Sequence, residues 1–191
     1  MDDLMEDRLG TPGHAMPEPS QHSEHLIREF VAHWGLMART WGINSTMGEL
    51  FALLYITGTN WTAGDLRHWL GVSSGSVSMN LRELIAWGVV HRVHQSGIRR
   101  ELFRAETDVW VLFRKILAER KRRELDPSLS VLDRASLLAE EDPGLQELRS
   151  RIEPLRRFFR LIDSLAVRLL SMPSGDLAEI TQMVPEERMN E

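Results

Sequence analysis

At 191 residues, with 42% hydrophobic and 27% charged side chains, the chain has room for one domain of ordinary size plus a helical extension. It has no cysteine, which excludes disulfides and thiolate chemistry, and its longest apolar runs, such as residues 51–57, fall short of the ~20 residues a membrane span needs. The net charge of −5 speaks against a nucleic-acid partner, but it is unevenly spread: residues 1–29 hold seven acids and two bases, whereas residues 43–105 hold six arginines against four acids, a local +2. Phosphate responds to local potential, so a mildly basic module inside an acidic protein keeps that partner open. The acidic N-terminus lacks the basic-then-apolar order of a secretory signal, and a cytoplasmic protein is the expectation.

Residues 1–22, rich in acids, Gly and Pro, read as a disordered acidic tail. His22 and His25 have no third ligand at useful spacing and read as solvated; no metal or cofactor is expected. Leu26, Phe30, Trp34, Met37 and Trp41 recur at helical spacing and predict one face of a helix over about 23–40, closed by Gly42. Thr46-x-x-Glu49 has the form of a capping box opening an apolar helix that stops at Gly58. Thr62-x-x-Asp65 resembles a second box, opening a helix through Leu70, and Gly71 supplies a tight turn. Ser73 is the expected N-cap of the next helix, which ends near Gly88. Residues 89–94 and 100–105 read as strands joined by a hairpin loop at 95–99. From Thr107 the stripe Val109, Phe113, Ile116 and Leu117 marks a helix that Asp126-Pro127 breaks. Residues 128–143 form a shorter helix or loop, and a last helix spans about 145–172 with a kink at Pro154.

The order helix, Gly turn, serine-rich helix, basic hairpin is that of a winged helix-turn-helix DNA reader. Val77, Leu81, Leu84 and Ile85 share one face of the serine-rich helix and must pack inward, which turns Ser74, Gly75, Ser78, Met79 and Arg82 outward. Small hydroxyl residues at a helix N-terminus let the backbone approach a groove and meet phosphates at the positive end of the dipole. Arg82 suits a guanine edge, Ser73 caps the helix, and Ser76 and Asn80 lie on the flanks for backbone contacts. In the wing, Ser96, Gly97, Arg99 and Arg100 can enter the minor groove or grip the backbone. The bland alternative for the serines is a cap and a solvated face; the wing beside them favours DNA.

Residues 61–110 resemble the winged-helix core of MarR-like bacterial regulators, and most of all the GbsR-type branch. The matches are Gly71-Val72-Ser73, Gly75-Ser76-Val77-Ser78-Met79, Leu81-Arg82 and Leu84, then Gly97 and Arg99 in the wing and Glu106-Thr107-Asp108-Val109-Trp110 after it. The wing tip departs from the commoner Pro-Gly-Asp turn, with Gln95-Ser96-Gly97 in its place. The resemblance implies a homodimer on a palindromic operator, usually a repressor. The residues supply a dimer surface of their own: Leu26, Phe30 and Trp34 on the first helix, and the coiled-coil-like seam Leu155, Phe158, Ile162, Leu165 and Leu169. Packing of that seam on the 109–117 stripe of the same chain is the alternative.

The expected fold is mostly α with a small β-hairpin wing. It divides into a tail (1–22), an N-terminal helix contributing to the dimer interface (23–42), the winged helix-turn-helix domain (43–106), a helical dimerisation region (107–172) and a C-terminal tail (173–191). Six tryptophans raise the idea of an aromatic cage at Trp34, Trp41 and Trp110 for a quaternary ammonium effector; the resemblance implies a choline-like compound, and ordinary packing is the alternative. No Gly-rich phosphate loop, metal cluster or nucleophile with a base marks an enzyme. A winged-helix module that binds proteins without binding DNA is the competing function.

Overall fold

The computed structural model describes residues 21–97, 100–173 and 175. Of the tail expected over 1–22, only 21 and 22 are described, and both already belong to helix α1 (Gln21–Thr40). Almost all of the C-terminal tail likewise lies outside the described residues.

Helix α2 (Ser45–Thr57) is the axis of the core: Leu50, Ala52, Leu53 and Leu54 are fully buried. Its N-cap is Asn44, whose side chain accepts from the Thr46 N–H at 2.9 Å. The expected Thr46–Glu49 box therefore does not form. Glu49 lies instead beside α1, where a Cβ on Gly35 would meet its Cγ at 2.6 Å, and burial pushes its carboxyl above the usual range. The crossing of α1 over α2 is tight because both sides are small. A Cβ on Gly48 would lie 2.6 Å from the Ala38 Cβ and 2.8 Å from the Trp34 carbonyl. This close approach turns Val31, Gly35 and Ala38 inward and leaves Leu26 63% exposed. The inward face of α1 is thus rotated from the expected Leu26–Trp41 stripe.

A two-residue strand β1 (Trp61–Thr62) precedes helix α3 (Ala63–Leu70). Thr62 caps α3 by accepting from the Asp65 N–H, and its hydroxyl donates to the Asp65 carboxylate at 2.6 Å. Asp is one methylene shorter than Glu, and its carboxylate meets the hydroxyl rather than the cap's own N–H. Gly71, at φ 67°, makes the turn into helix α4 (Ser74–Ala86). Strands β2 (Val90–Val93) and β3 (Leu102–Ala105) pair antiparallel with Val90 opposite Ala105 and Val93 opposite Leu102. β1 adds to the free side of β3, giving the order β1-β3-β2. The sheet thus has three strands, one more than expected; a strand of two residues leaves no periodicity to read. Leu66, Val77, Leu81, Leu84, Val90 and Phe103 close over α2 as a single core.

The helical arm begins at α5 (Val109–Arg120), where the Asp108 carboxylate accepts from the Trp110 and Val111 N–H groups. Asp126-Pro127 does not break the chain's helical course. A π turn (Lys121–Leu125) leads directly into α6 (Asp126–Glu141), with Pro127 in the first turn of that helix. Pro is tolerated there, and the wider π turn relieves the clash its ring would make with the preceding helical carbonyl. A 3₁₀ turn (Pro143–Leu145) reverses the chain into α7 (Gln146–Ser171), which contains Pro154. No helix among the described residues is long and apolar enough to cross a membrane.

Helices α6 and α7 are joined by a charged lattice. Arg156 binds Glu153 at 2.8 Å and Asp133 at 3.3 Å, Arg160 reaches Asp133 at 2.8 Å, and Ser136 donates to Glu153 at 3.2 Å. The Arg156 guanidinium holds the Glu153 carboxyl at about 2, below its usual 4.5. A carboxyl with a depressed folded value stabilises above its unfolded value and loses that contribution as pH falls. Acid should therefore loosen the α6–α7 hairpin between about pH 4.5 and 2. Thermal melts across that range should show Glu153→Gln less sensitive to pH than the parent chain. At the α1–α2 crossing, Gly48→Ala should cost about 1–3 kcal/mol by overpacking, measured by denaturant unfolding, because the Trp34 carbonyl cannot swing away as a side chain can.

Candidate nucleic-acid interface

Helix α4 owes its outward face to its inward one. Val77, Leu81 and Leu84 are at most 3% exposed, so rotation about the helix axis is fixed by the core. Ser74, Gly75, Ser78, Met79 and Arg82 then stand exposed on the opposite side, with Met79 an uncommonly wet apolar residue at 52%. Ser73 is exposed and caps the helix, its hydroxyl accepting from the Ser76 N–H at 3.2 Å. Two positions differ from expectation. Ser76 is only half-exposed, and Asn80, placed on the flank by sequence, is 1% exposed. The Asn80 amide donates to the Ser76 carbonyl at 2.8 Å. It is a satisfied core group and does not face outward; three residues beyond Val77, it falls on the same side of the helix.

The wing follows from the C-terminal end of α4 through Trp87, Gly88 and Val89. Ser96, Gly97 and Arg100 are exposed, and Gly97 turns at φ 85°, a conformation glycine adopts without strain. Arg99 lies outside the described residues. Arg92 is committed to Glu101 across the hairpin at 3.0 Å, and Arg82 leans on its own helix, its Nε donating to the Ser78 carbonyl at 3.3 Å. Such a long, exposed bond is weak and leaves the guanidinium able to swing outward.

At the base of the wing, Glu106 accepts from the Thr107 and Asp108 N–H groups at 3.0 and 3.2 Å, and lies 3.6 Å from both His91 Nε2 and Lys115 Nζ. The Asp108 N–H first, then Thr107, Lys115 and His91, hold its carboxyl below the usual range. Lys115 also donates to the Gly88 carbonyl. The sheet, the end of α4 and α5 thus meet at one polar joint.

Between the module and the arm lies an apolar cleft of about 470 Å³, whose walls include Trp34, Trp41, Phe51, Trp87, Phe113 and Ile116. Of the three tryptophans expected to form a cage, Trp34 and Trp41 line this cleft and Trp110 does not. Val109, Leu112, Phe113 and Ile116 form the cleft side of α5, and Trp110 is turned off that face, edge-on to Phe113 at 6.4 Å. Trp34 stacks on Phe30 at 4.4 Å, so these two residues of the expected dimer surface are spent on the chain's own cleft. Trp61 donates to the Thr57 hydroxyl at 2.9 Å. The other three tryptophans each carry an arginine: Arg28 over Trp69 at 4.8 Å, Arg120 over Trp41 at 5.5 Å and Arg123 over Trp87 at 5.2 Å.

The seam on α7 is divided: Ile162 meets Leu117 of the α5 stripe across a small pocket of the same chain, and the rest of the seam turns away from it. Leu155, Phe158 and Leu165 are exposed, Phe158 by 56%, while Ile162 and Leu169 are half-buried. Inward packing is done by the neighbouring side of the helix, with Ala166 buried and Phe159 half-buried. Asn80→Ala should lower stability by about 1–2 kcal/mol in denaturant melts, the cost of losing the buried amide's hydrogen bond and of the space its side chain leaves, without altering any ligand preference of the exposed face.

No family model matches the chain. It is 23% identical over 150 residues to the HTH-type transcriptional repressor OpcR of Bacillus subtilis (strain 168), covering 71% of this chain and 77% of that protein. To the putative HTH-type transcriptional regulator YvaV of the same strain it is 23% identical over 159 residues, 76% of this chain and 85% of that one. A crystal structure of a transcriptional regulator superposes with a TM-score of 0.60 at 22% identity, spanning 80% of this chain and 98% of the other. The winged helix-turn-helix fold is borne out, and the curated relatives are transcriptional regulators, the kind of protein the sequence resemblance implied.

Proposed function

We propose that this chain is a MarR-like, sequence-specific DNA-binding transcriptional regulator that acts as a homodimer on a palindromic operator, as a repressor. The observation that carries the reading is the face of α4: three small residues, one apolar and one cationic stand outward on a helix whose rotation is locked by the core, at an N-terminus whose N–H groups and dipole suit phosphate. Ser74, Gly75 and Ser78 are small enough to let the backbone approach the groove, Met79 offers an apolar contact there, and Arg82 reads a base edge. Ser96, Gly97, Arg99 and Arg100 form the wing contact to backbone or minor groove.

Two features support the dimer. The local excess of positive charge is small, so one copy gains little from counterion release. The α7 seam leaves Leu155, Phe158 and Leu165 in water, a continuous apolar face that a second copy would cover. Residues 107–172 then serve as the dimerisation arm, with the first helix contributing through Leu26, and the paired recognition helices lie ~34 Å apart. The repressor role follows the relative that carries that name, and the recognition-helix motif resembles that of the GbsR-type branch.

The cleft between module and arm is the effector site in this reading. Its lining is aromatic and aliphatic without a carboxylate. That lining suits an apolar body; a choline-like cation would rely on ring faces alone, and the ring of Trp41 already carries Arg120. Tryptophan fluorescence separates the two: quenching by choline or glycine betaine at low concentration would restore the cation reading.

Fluorescence anisotropy with duplex from the chain's own upstream region tests the function. Arg82→Ala should cost about 1–3 kcal/mol at particular base pairs and relax preference there. Arg100→Ala should weaken all sequences alike and reduce the salt slope by about 0.9. No binding by the parent chain at low salt, with unaltered partner-protein association, would establish the protein-interaction module instead.

A further inference from the structure

The two ends of the recognition helix are held differently. Its middle rests on α2 through Val77, Leu81 and Leu84. Its C-terminal end is also held from the arm: Lys115 of α5 donates to the Gly88 carbonyl just beyond it, and Arg123 makes polar and stacking contacts with the end of the helix itself. Arg123, in the π turn, places Nη1 2.9 Å from Glu83 Oε1 and its guanidinium 5.2 Å from the Trp87 ring centroid. Its Nε is bonded to Glu119, which Arg122 also holds, so the guanidinium is braced from its own side before it reaches across. Arg120, one turn earlier, makes the equivalent reach to the end of α1: it covers the Trp41 ring and donates to the Trp41 carbonyl at 3.1 Å. Trp41 and Trp87 are both walls of the cleft.

We propose that Arg123 is a positioning residue that sets the angle of the recognition helix relative to the helical arm, by holding Glu83 and Trp87 at once from the π turn. Half-exposed ion pairs contribute little to global stability, so this cluster is poorly explained as a device for keeping the chain folded. It is well placed as an angular restraint. Glu83 and Trp87 are one helical turn apart on the same side of α4, and a planar guanidinium that pairs with one while stacking on the other fixes two points on that helix. The π turn is what delivers it, since the wider turn changes the phase of the arm between α5 and α6. The role in operator affinity rests on the DNA-binding reading; the angular restraint does not.

Pulsed electron–electron distance measurement tests the restraint without DNA. The chain has no cysteine, and Met79 on α4 and Val131 on α6 are both exposed. Spin labels on Met79→Cys and Val131→Cys, in full-length chain diluted into excess unlabelled chain, report the angle within one protomer. The parent should give one narrow distance distribution, and Arg123→Ala should at least double its width. Arg123→Lys, which keeps the charge and loses the flat stack, should fall between. Glu83→Gln, which leaves the arm untouched, should also broaden the distribution and decides the matter if Arg123→Ala does not fold. Unlabelled Arg123→Ala should bind duplex about tenfold more weakly with an unchanged salt slope. Distributions of the Arg123 and Glu83 variants that superimpose on the parent's would overturn the proposal. Broadening without duplex binding by any chain would uphold it and refute only the DNA reading.

Discussion

The burial of Val77, Leu81 and Leu84 against α2 is the contact on which the outward surface depends. Each such side chain stabilises by about 1.5–3 kcal/mol when removed from water. A turn of α4 by one residue position would expose all three at once and drive polar side chains into the core. The bond within the exposed face, from Arg82 to the Ser78 carbonyl, is long and solvent-exposed and is negligible against that sum. The outward set is therefore a consequence of packing, and Ser74, Gly75, Ser78, Met79 and Arg82 are presented together without any contact among them being needed. The α1–α2 crossing at Gly48 supports the same arrangement one layer further in, because α2 must be held before α4 can lie on it.

The tryptophans acquire a use that composition alone did not suggest. Trp69, Trp41 and Trp87 sit at three joints: α1 with α3, the end of α1 with α5, and the end of α4 with the π turn. At each joint a guanidinium lies over the ring. Such contacts join elements that share little apolar surface, and they tolerate small rotations better than interdigitated aliphatic side chains do. The cleft runs between two of these joints, so whatever fills it would press on walls that also carry the arginines. Trp41 and Trp87 thus belong both to these joints and to the cleft walls.

Much of this was legible in the chain itself. Gly71 and Ser73 marked the turn and cap of the reading helix because left-handed glycine and a β-region serine have few other uses side by side. The inward face Val77, Leu81, Leu84 followed from periodicity. Asn80 did not, because a polar residue three positions after a core valine reads as flank until its amide is seen bonded to the Ser76 carbonyl. The Asn44 cap was masked by the better-known box two residues on, although Asn before Ser-Thr was the available signal. Pro127 reads as a stop because nothing local announces a π turn. Arg123 was one of four consecutive basic residues, 120–123, and only the fold distinguishes the one that reaches Glu83 and Trp87.

The central claim is that the outward face of α4, presented twice by a dimer, reads a symmetric duplex site. Selection of bound duplexes from a random pool by the full-length chain at physiological salt tests it most directly. The account predicts enrichment of an inverted repeat whose half-sites are centred about one helical turn apart, with loss of preference at one position of each half-site when Arg82→Ala is used. A pool that stays unenriched at low salt, or one that yields sites without two-fold symmetry, would contradict it.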